Sequence, residues 1–466
     1  MNKIPVIAVF DVGKTNKKLF LFDEHYQIVY EKSARFLETM DEDGEACENL
    51  DSLRLSVFES LNEVLKNEKF EIRAINFSTY GASLVYLDEE GKPLAPLYNY
   101  LKHYPGDLET QFYAAHGGKE KISLETASPA SGSLNSGLQL YRLKYQKPDI
   151  FKKVKYALHL PQYMSYLISG KCYSDMTSIG CHTQLWDFKK NDYHQWVYQE
   201  DLQSKLAPIF PSDEIIEASF MGQNYKMGVG LHDSSAALIP YLVNFKEPFV
   251  LLSTGTWCIS LNPFNSTTLT SEELQNDCLA YISYQGKPVK ASRLFAGFEH
   301  EQQAKRIAAH FNVNTIVFRN MEFEPEVFSK LKADKRLQYS LTNISQLQKE
   351  SVFSQRDLAV FENATDAYHQ LIADLIHLQY ASTKLIIAGS EVKKIFVDGG
   401  FSKNAIYMNL LAAAFPEIEV YAAAMAQATA LGTAVAIHKH WNTRPLANDI
   451  IDLKYYSVND HISLLK

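Results

Sequence analysis

Ile4-Pro5-Val6-Ile7-Ala8-Val9-Phe10-Asp11-Val12-Gly13-Lys14-Thr15-Asn16 opens the chain with a continuous apolar run that stops on a carboxylate and a glycine. An apolar run of this length closed by a turn signal reads as a buried strand, with D-x-G as its exit. Lys18-Leu19-Phe20-Leu21-Phe22 and Ile28-Val29-Tyr30 follow, separated by Asp23 to Gln27, so the opening stretch is a strand meander. Gly13, Lys14, Thr15 and Asn16 make its first turn. Near residue 245 the layout restarts. Pro248-Phe249-Val250-Leu251-Leu252 runs into Ser253-Thr254-Gly255-Thr256 and then Trp257-Cys258-Ile259-Ser260-Leu261. The two stretches share a layout rather than a sequence, which suggests duplicated α/β lobes that each begin with a glycine-containing hairpin. The boundary falls at 243–248.

The rest of the pattern alternates. Leu53, Val57, Leu61, Val64 and Leu65 share one face of a helix over Leu50–Leu65. Strands over 72–78 and 83–87 flank Thr79-Tyr80-Gly81, and helices are expected over 136–144 and 161–168. Val229-Gly230-Leu231-His232-Asp233 ends in a turn before a helix that starts at Ser234. The second half predicts a helix over 365–380, a strand over 394–397 and a helix over 402–414. A strand over 418–421 and an alanine-rich helix over 422–438 complete it. Strands alternating with helices argue for α/β architecture.

A 466-residue chain with 46% apolar and 21% charged residues has room for two sizeable lobes. Its 46 basic and 54 acidic residues give a charge of -8 without a long basic run, which argues against nucleic acid or an anionic membrane as partner. Phosphate must then be bound locally. Cys47, Cys172, Cys181, Cys258 and Cys278 are an odd number, far apart and without a C-x-x-C pair, so neither a disulfide framework nor a zinc motif is indicated. The N-terminus lacks the pattern of an export signal and no long apolar run occurs, so the expected location is the cytoplasm.

Three turns carry the chemistry. Asp11-Val12-Gly13-Lys14-Thr15-Asn16 joins a strand-end carboxylate to backbone amides able to face a phosphate. Ser253-Thr254-Gly255-Thr256-Trp257 offers hydroxyls and amides without carboxylates. Asp398-Gly399-Gly400-Phe401-Ser402-Lys403-Asn404 lies between a strand and a helix, where glycines let backbone approach a ligand. Alone, the first two are more often ordinary turns. None has the spacing of a dinucleotide-binding or P-loop motif.

Taken in order, with the strand-end Asp233 before the second turn, they resemble the FGGY carbohydrate kinases. The likeness runs from Val6 to about Lys439 and is dense at Ala428-Thr429-Ala430-Leu431-Gly432-Thr433-Ala434. It implies two ribonuclease-H-like, actin-like ATPase lobes, roughly 1–245 and 246–466, with an active cleft between them. It further implies transfer of the γ-phosphoryl of ATP to a hydroxyl of a small sugar, with Mg2+. Carried over residue by residue, Asp11 would hold the metal, and Gly13, Lys14, Thr15, Asn16 and Lys18 would bind phosphates together with Thr254, Gly255 and Thr256. Gly399, Gly400, Ser402 and Asn404 would flank adenosine, and Asp233 would be the base. On the sugar side stand Thr79, Tyr80, Gly81, Asn135 and His232. The H-D pair followed by Ser234-Ser235-Ala236 is closer to the rhamnulokinase and fuculokinase branch than to glycerol kinases or xylulokinases, which points to L-rhamnulose or L-fuculose.

Asp233 and Asn135 are also readable as helix caps, and Thr183-Gln184-Leu185-Trp186-Asp187 after Asp175-Met176-Thr177 as scaffold. The pattern breaks at Lys14, where a small residue is expected, at Ser83, where the related branch has an aspartate, and at Tyr100-Leu101-Lys102, where many members have an aromatic followed by Arg-Asp. An actin-like or chaperone-like ATPase, and a silent sugar-binding regulator, remain open on the same residues. So does a homodimer.

Overall fold

The computed structural model describes residues 3–14, 17–34, 38–334, 352–423, 427–447 and 449–457. Thr15 and Asn16 lie outside the described residues.

Two compact units make up the chain. The first comprises 1–243 with 280–288 and 427–450, and the second comprises 244–279, 289–426 and 451–466. The sequence suggested two continuous lobes; the chain instead returns to the first unit late. The reason lies in the helix Ala428–Ala436, whose small residues pack on the strands Ile4–Val12 and Phe70–Thr79. Gly432 sits so close to the Ala236 carbonyl that a Cβ there would collide with it. Pro240 has no N–H to give that carbonyl, so the helix Asp233–Asn244 presents a bare backbone face to its neighbour.

In the first unit the strand order is 216–220, 223–227, 70–79, 4–12, 17–23, 28–34, with Leu231–His232 also paired to 70–79. Strands 4–12, 17–23 and 28–34 form the antiparallel meander, while 4–12 and 70–79 run parallel. Val6, Ala8 and Phe10 face a core shared with Leu53, Val57 and Leu61 of the helix Leu50–Leu65. Asn49 starts that helix by accepting the Ser52 amide at 2.9 Å. A second aromatic core around Phe112, Tyr141 and Trp196 supports the segments 129–135 and 181–187.

The C-terminal sheet repeats the plan, with the order 278–282, 288–294, 258–262, 249–254, 394–399, 419–423, 453–456. Here 249–254, 258–262 and 288–294 are antiparallel, and 249–254, 394–399 and 419–423 are parallel. Each sheet is therefore a set of antiparallel strands extended by parallel ones, the ribonuclease-H-like arrangement that the family resemblance implies.

Among the boundaries that differ from the sequence reading, two show their cause. Alanine content predicts a helix from 422, but Glu419–Ala423 is a strand and the helix begins at Ala428. Pairing on both sides, with 394–399 and 453–456, outweighs helix propensity at Ala422 and Ala423. The helix expected from Ser402 starts at Ala405, because the Asn404 side chain caps it by accepting the Tyr407 amide at 2.9 Å. Among the described residues no helix is long and apolar enough to cross a membrane.

Candidate active site

In the first unit, three parallel strand ends converge. Asp11 stands opposite Ser78, and Leu231 also pairs with Ser78, which brings Asp11 and the following His232-Asp233 to one edge. The carboxyl ends of parallel strands are where α/β sheets bind ligands, because side chains there project past the last ladder bond. Ser78 Oγ donates to Asp11 Oδ1 at 3.0 Å. Burial pushes the Asp11 carboxyl up to about 6; the Ser78 bond opposes this, the nearby Asp233 charge adds to it and Lys18 offsets part. The two carboxylates thus sense each other electrostatically, and a cation between them would be favoured.

Asp233 is the first residue of the helix Asp233–Asn244. Its Oδ1 accepts the adjacent Ser234 amide at 2.6 Å, a bond to the next residue rather than the cap to the second or third amide that the alternative reading required. The helix N-terminus favours its negative charge, and the side chain remains about one-third exposed at 35%, so it can reach a ligand.

The two expected phosphate-facing lysines both have protein partners. Lys14 Nζ lies 3.7 Å from Glu48 and over the rings of Tyr80 and Tyr100, and Lys18 donates to Glu31 at 2.8 Å. Buried Lys17 also pairs with Glu48, at 3.0 Å. Sequence reading missed Glu48 and Ser78, since neither sits in a turn motif; strand register brings in Ser78, and packing of the 38–48 hairpin brings in Glu48. Leu101 is exposed, and Lys102 is buried against Asp41 and Asp43.

Thr79, Tyr80 and Gly81 lie beside His232. A Cβ at Gly81 would strike the His232 ring, so the glycine is a space requirement. His232 is buried, stacks on Tyr281 with ring centroids 5.8 Å apart, and has Nε2 3.1 Å from Cys181 Sγ. Its backbone amide is held by Thr177 Oγ1 at 3.0 Å, and Thr177 is bonded in turn to Asp175. The segment 175–177 is therefore scaffold that sets the His232 position. Asn135 is fully buried but makes no cap: it accepts the Ser131 amide and donates to the Pro129 and His182 carbonyls. Its amide ties two loops together.

In the second unit a cavity of about 740 Å³ opens beside the two glycine turns. Thr254, Gly255, Gly400 and Asn404 line it, joined by His300, Phe318 and Tyr368. Thr254 Oγ1 donates to the Asp398 carbonyl and accepts the Phe401 amide, so this hydroxyl locks the turns to each other. Gly255 and Thr256 are exposed. Ser402 Oγ donates back to Gly399 O at 2.8 Å. Asn404 Nδ2 donates to Tyr368 Oη at 2.8 Å, His300 Nε2 lies 2.8 Å from the same oxygen, and Phe318 stacks on Tyr368 at 4.5 Å. His300, Phe318 and Tyr368 were not found from sequence: they sit on helical or 3-10 segments without a ligand motif. Gly297, whose Cβ would collide with the Gly255 carbonyl, marks the spot only once the chain is folded.

Gly399 has φ 87°, and a Cβ would also collide with the Thr254 carbonyl. Gly399→Ala is expected to lower stability by about 2–4 kcal/mol, combining left-handed strain with the collision. Urea unfolding checks this; a loss under about 1 kcal/mol would show that the turn gives way.

Both halves of this geometry match one family. Residues 6–239 match the FGGY family of carbohydrate kinases, N-terminal domain, and residues 246–445 match the carbohydrate kinase FGGY, C-terminal domain. The chain belongs to the FGGY family of carbohydrate kinases and is a sugar kinase, a phosphotransferase. Its relatives include a rhamnulokinase of Mannheimia succiniciproducens, 24% identical over 91% of this chain and 88% of that protein. A rhamnulokinase of Halalkalibacterium halodurans is 27% identical over 53% of this chain and 52% of its own. These place the chain near the rhamnulokinase branch. Among solved structures, a carbohydrate kinase from Novosphingobium aromaticivorans superposes with a TM-score of 0.77 at 21% identity, covering 99% of this chain and 96% of that one. A gluconate kinase from Lactobacillus acidophilus gives 0.79 at 16% identity, covering 98% and 94%. These likenesses carry the fold. FGGY kinases draw their phosphoryl group from ATP.

Proposed function

We propose that this kinase phosphorylates a hydroxyl of a ketose or deoxyketose of the L-rhamnulose or L-fuculose kind. The observation that supports it most is the meeting of Asp11 and Asp233 at the carboxyl ends of parallel strands, with His232 and the Thr79-Tyr80-Gly81 turn alongside. The first unit carries the base and the sugar side. The second unit carries the nucleotide side, where the cavity bounded by Tyr368, Phe318 and Gly400 suits a nucleoside.

Asp233 accepts the proton of the attacking hydroxyl through its carboxylate. Gly255 and Thr256 offer backbone and hydroxyl groups to phosphate oxygens, while Thr254 holds their turn. Asp11 fits Mg2+, since its donor is a hard carboxylate oxygen close to a second negative charge. When bound, the ion supplies positive charge against the phosphate oxygens. Lys14, held by Glu48, stands on the sugar side with Tyr80 and Tyr100. A cytoplasmic location goes with this reading.

The test is ADP release with Mg-ATP across ketoses, aldoses and polyols. Turnover that needs one deoxyketose supports the assignment. Release indifferent to sugar, or sugar binding without release, overturns it in favour of an ATPase or a silent regulator.

A further inference from the structure

Beside Asp233 lies a second constellation whose chemistry differs from that of a hydroxyl-binding site. Cys181, His182 and His232 are all buried, and one ligand atom from each lies within 4.8 Å of the others. We propose that these three side chains form a binding site for a soft divalent ion of the zinc class, whose occupation withdraws His232 from the sugar side. The second half of this statement rests on the function proposed above.

Thiolate and imidazole are the donors that zinc and its neighbours prefer, and three protein ligands leave a fourth position open. The outer shell is also in place. His182 Nδ1 is 3.0 Å from the Leu134 carbonyl, which fixes a proton on that nitrogen and makes Nε2 the coordinating atom. His232 Nδ1 is 3.4 Å from Asp233 Oδ1, with Nε2 turned to Cys181 Sγ at 3.1 Å. His232 Nδ1 is buried without a hydrogen-bond partner, so its N–H stands aimed at the Asp233 carboxylate. A histidine whose far nitrogen points to a carbonyl or carboxylate is the usual support of a metal ligand.

Charge and geometry agree with this. The thiol of Cys181 releases its proton to solvent as the ion binds, and the remaining positive charge of the ion with one thiolate faces Asp233. Ligand atoms around tetrahedral zinc are separated by roughly 3.3–3.7 Å, so side-chain shifts of about 1 Å seat the ion. The backbone of His182 is held at φ 41°, a left-handed value rare outside glycine, with its carbonyl tied by Asn135 at 2.8 Å. This is an expensive way to place a side chain, and it directs His182 toward the other two.

The experiment titrates the metal-free full chain with Co2+, then with Zn2+, in the absence of sugar and nucleotide. A cobalt–thiolate charge-transfer band that saturates at one ion per chain is expected. Cys181→Ser removes it, Cys172→Ser keeps it, and His182→Asn weakens affinity by about tenfold or more. Circular dichroism confirms that each variant is folded. No band in the native chain, or a band that survives Cys181→Ser, would overturn the site. Because this readout needs no turnover, its failure is separate from failure of the kinase reading, which shows as absent sugar-dependent ADP release from Mg-ATP in zinc-free protein. With an active sugar, Zn2+ is expected to raise the apparent KM for sugar at constant kcat. A fall in kcat with KM unchanged would overturn the placement of the ion on the sugar side.

Discussion

Asp233→Asn is expected to lower kcat for sugar phosphorylation by about 10²–10⁴-fold, the range for losing a general base, with the thermal midpoint nearly unchanged. Asparagine keeps the shape and can still accept the Ser234 amide through Oδ1, so the start of the helix survives. Two electrostatic changes oppose each other. The helix N-terminus loses a favourable anion worth about 0.3–1 kcal/mol, while Asp11 loses a neighbouring like charge. Steady-state ADP release and a thermal melt on the same preparation check the prediction. A loss below about tenfold would remove Asp233 from the role of base, and a large drop in the melt would make it a structural residue instead.

Asp11→Asn is expected to abolish turnover and yet stabilise the fold at neutral pH. The Asp11 carboxyl is raised from 3.8 to about 6 in the folded protein, mainly by burial. A folded-state value above the unfolded one means that the folded chain binds more protons between these two pH values. Stability therefore falls as pH rises through that window, and the penalty is complete above about pH 6. Removing the charge recovers on the order of 2–3 kcal/mol at pH 7, seen as a rise of a few degrees in melting temperature. Below pH 3.8 both forms are neutral at this position and the gain disappears. Urea melts of both proteins at pH 7 and about pH 4 test this. Equal stability at pH 7, or a gain that persists in acid, would show that Asp11 carries no burial penalty. A stabilising change that ends activity is what a charge kept for ligand binding gives.

Local patterns were legible because they depend on neighbours in sequence. Leu50–Leu65 was read to the residue from its apolar face, and the two glycine hairpins pointed to matching sheets before any pairing was known. Reading failed where a distant partner decides. Ala422 and Ala423 are strand because two other strands flank them. Asn404 moved a helix start by capping it, and Asn135, placed like a cap, uses its amide across loops 129–131 and 182.

The candidate site divides the same way. Asp11, Asp233, Gly255, Gly399 and Gly400 were visible in sequence, since strand-end carboxylates and glycine turns are local and their side chains or backbone must be of that kind wherever they fold. Ser78, Glu48, Tyr368 and the Cys181–His182–His232 cluster were decided only by tertiary structure. Strand register sets Ser78 against Asp11, and ring packing sets Tyr368 against Phe318. A chain of 466 residues states which groups it owns and which turns it can make. Which groups come within a few ångströms of each other depends on non-local pairing and close packing, and those are properties of the whole fold.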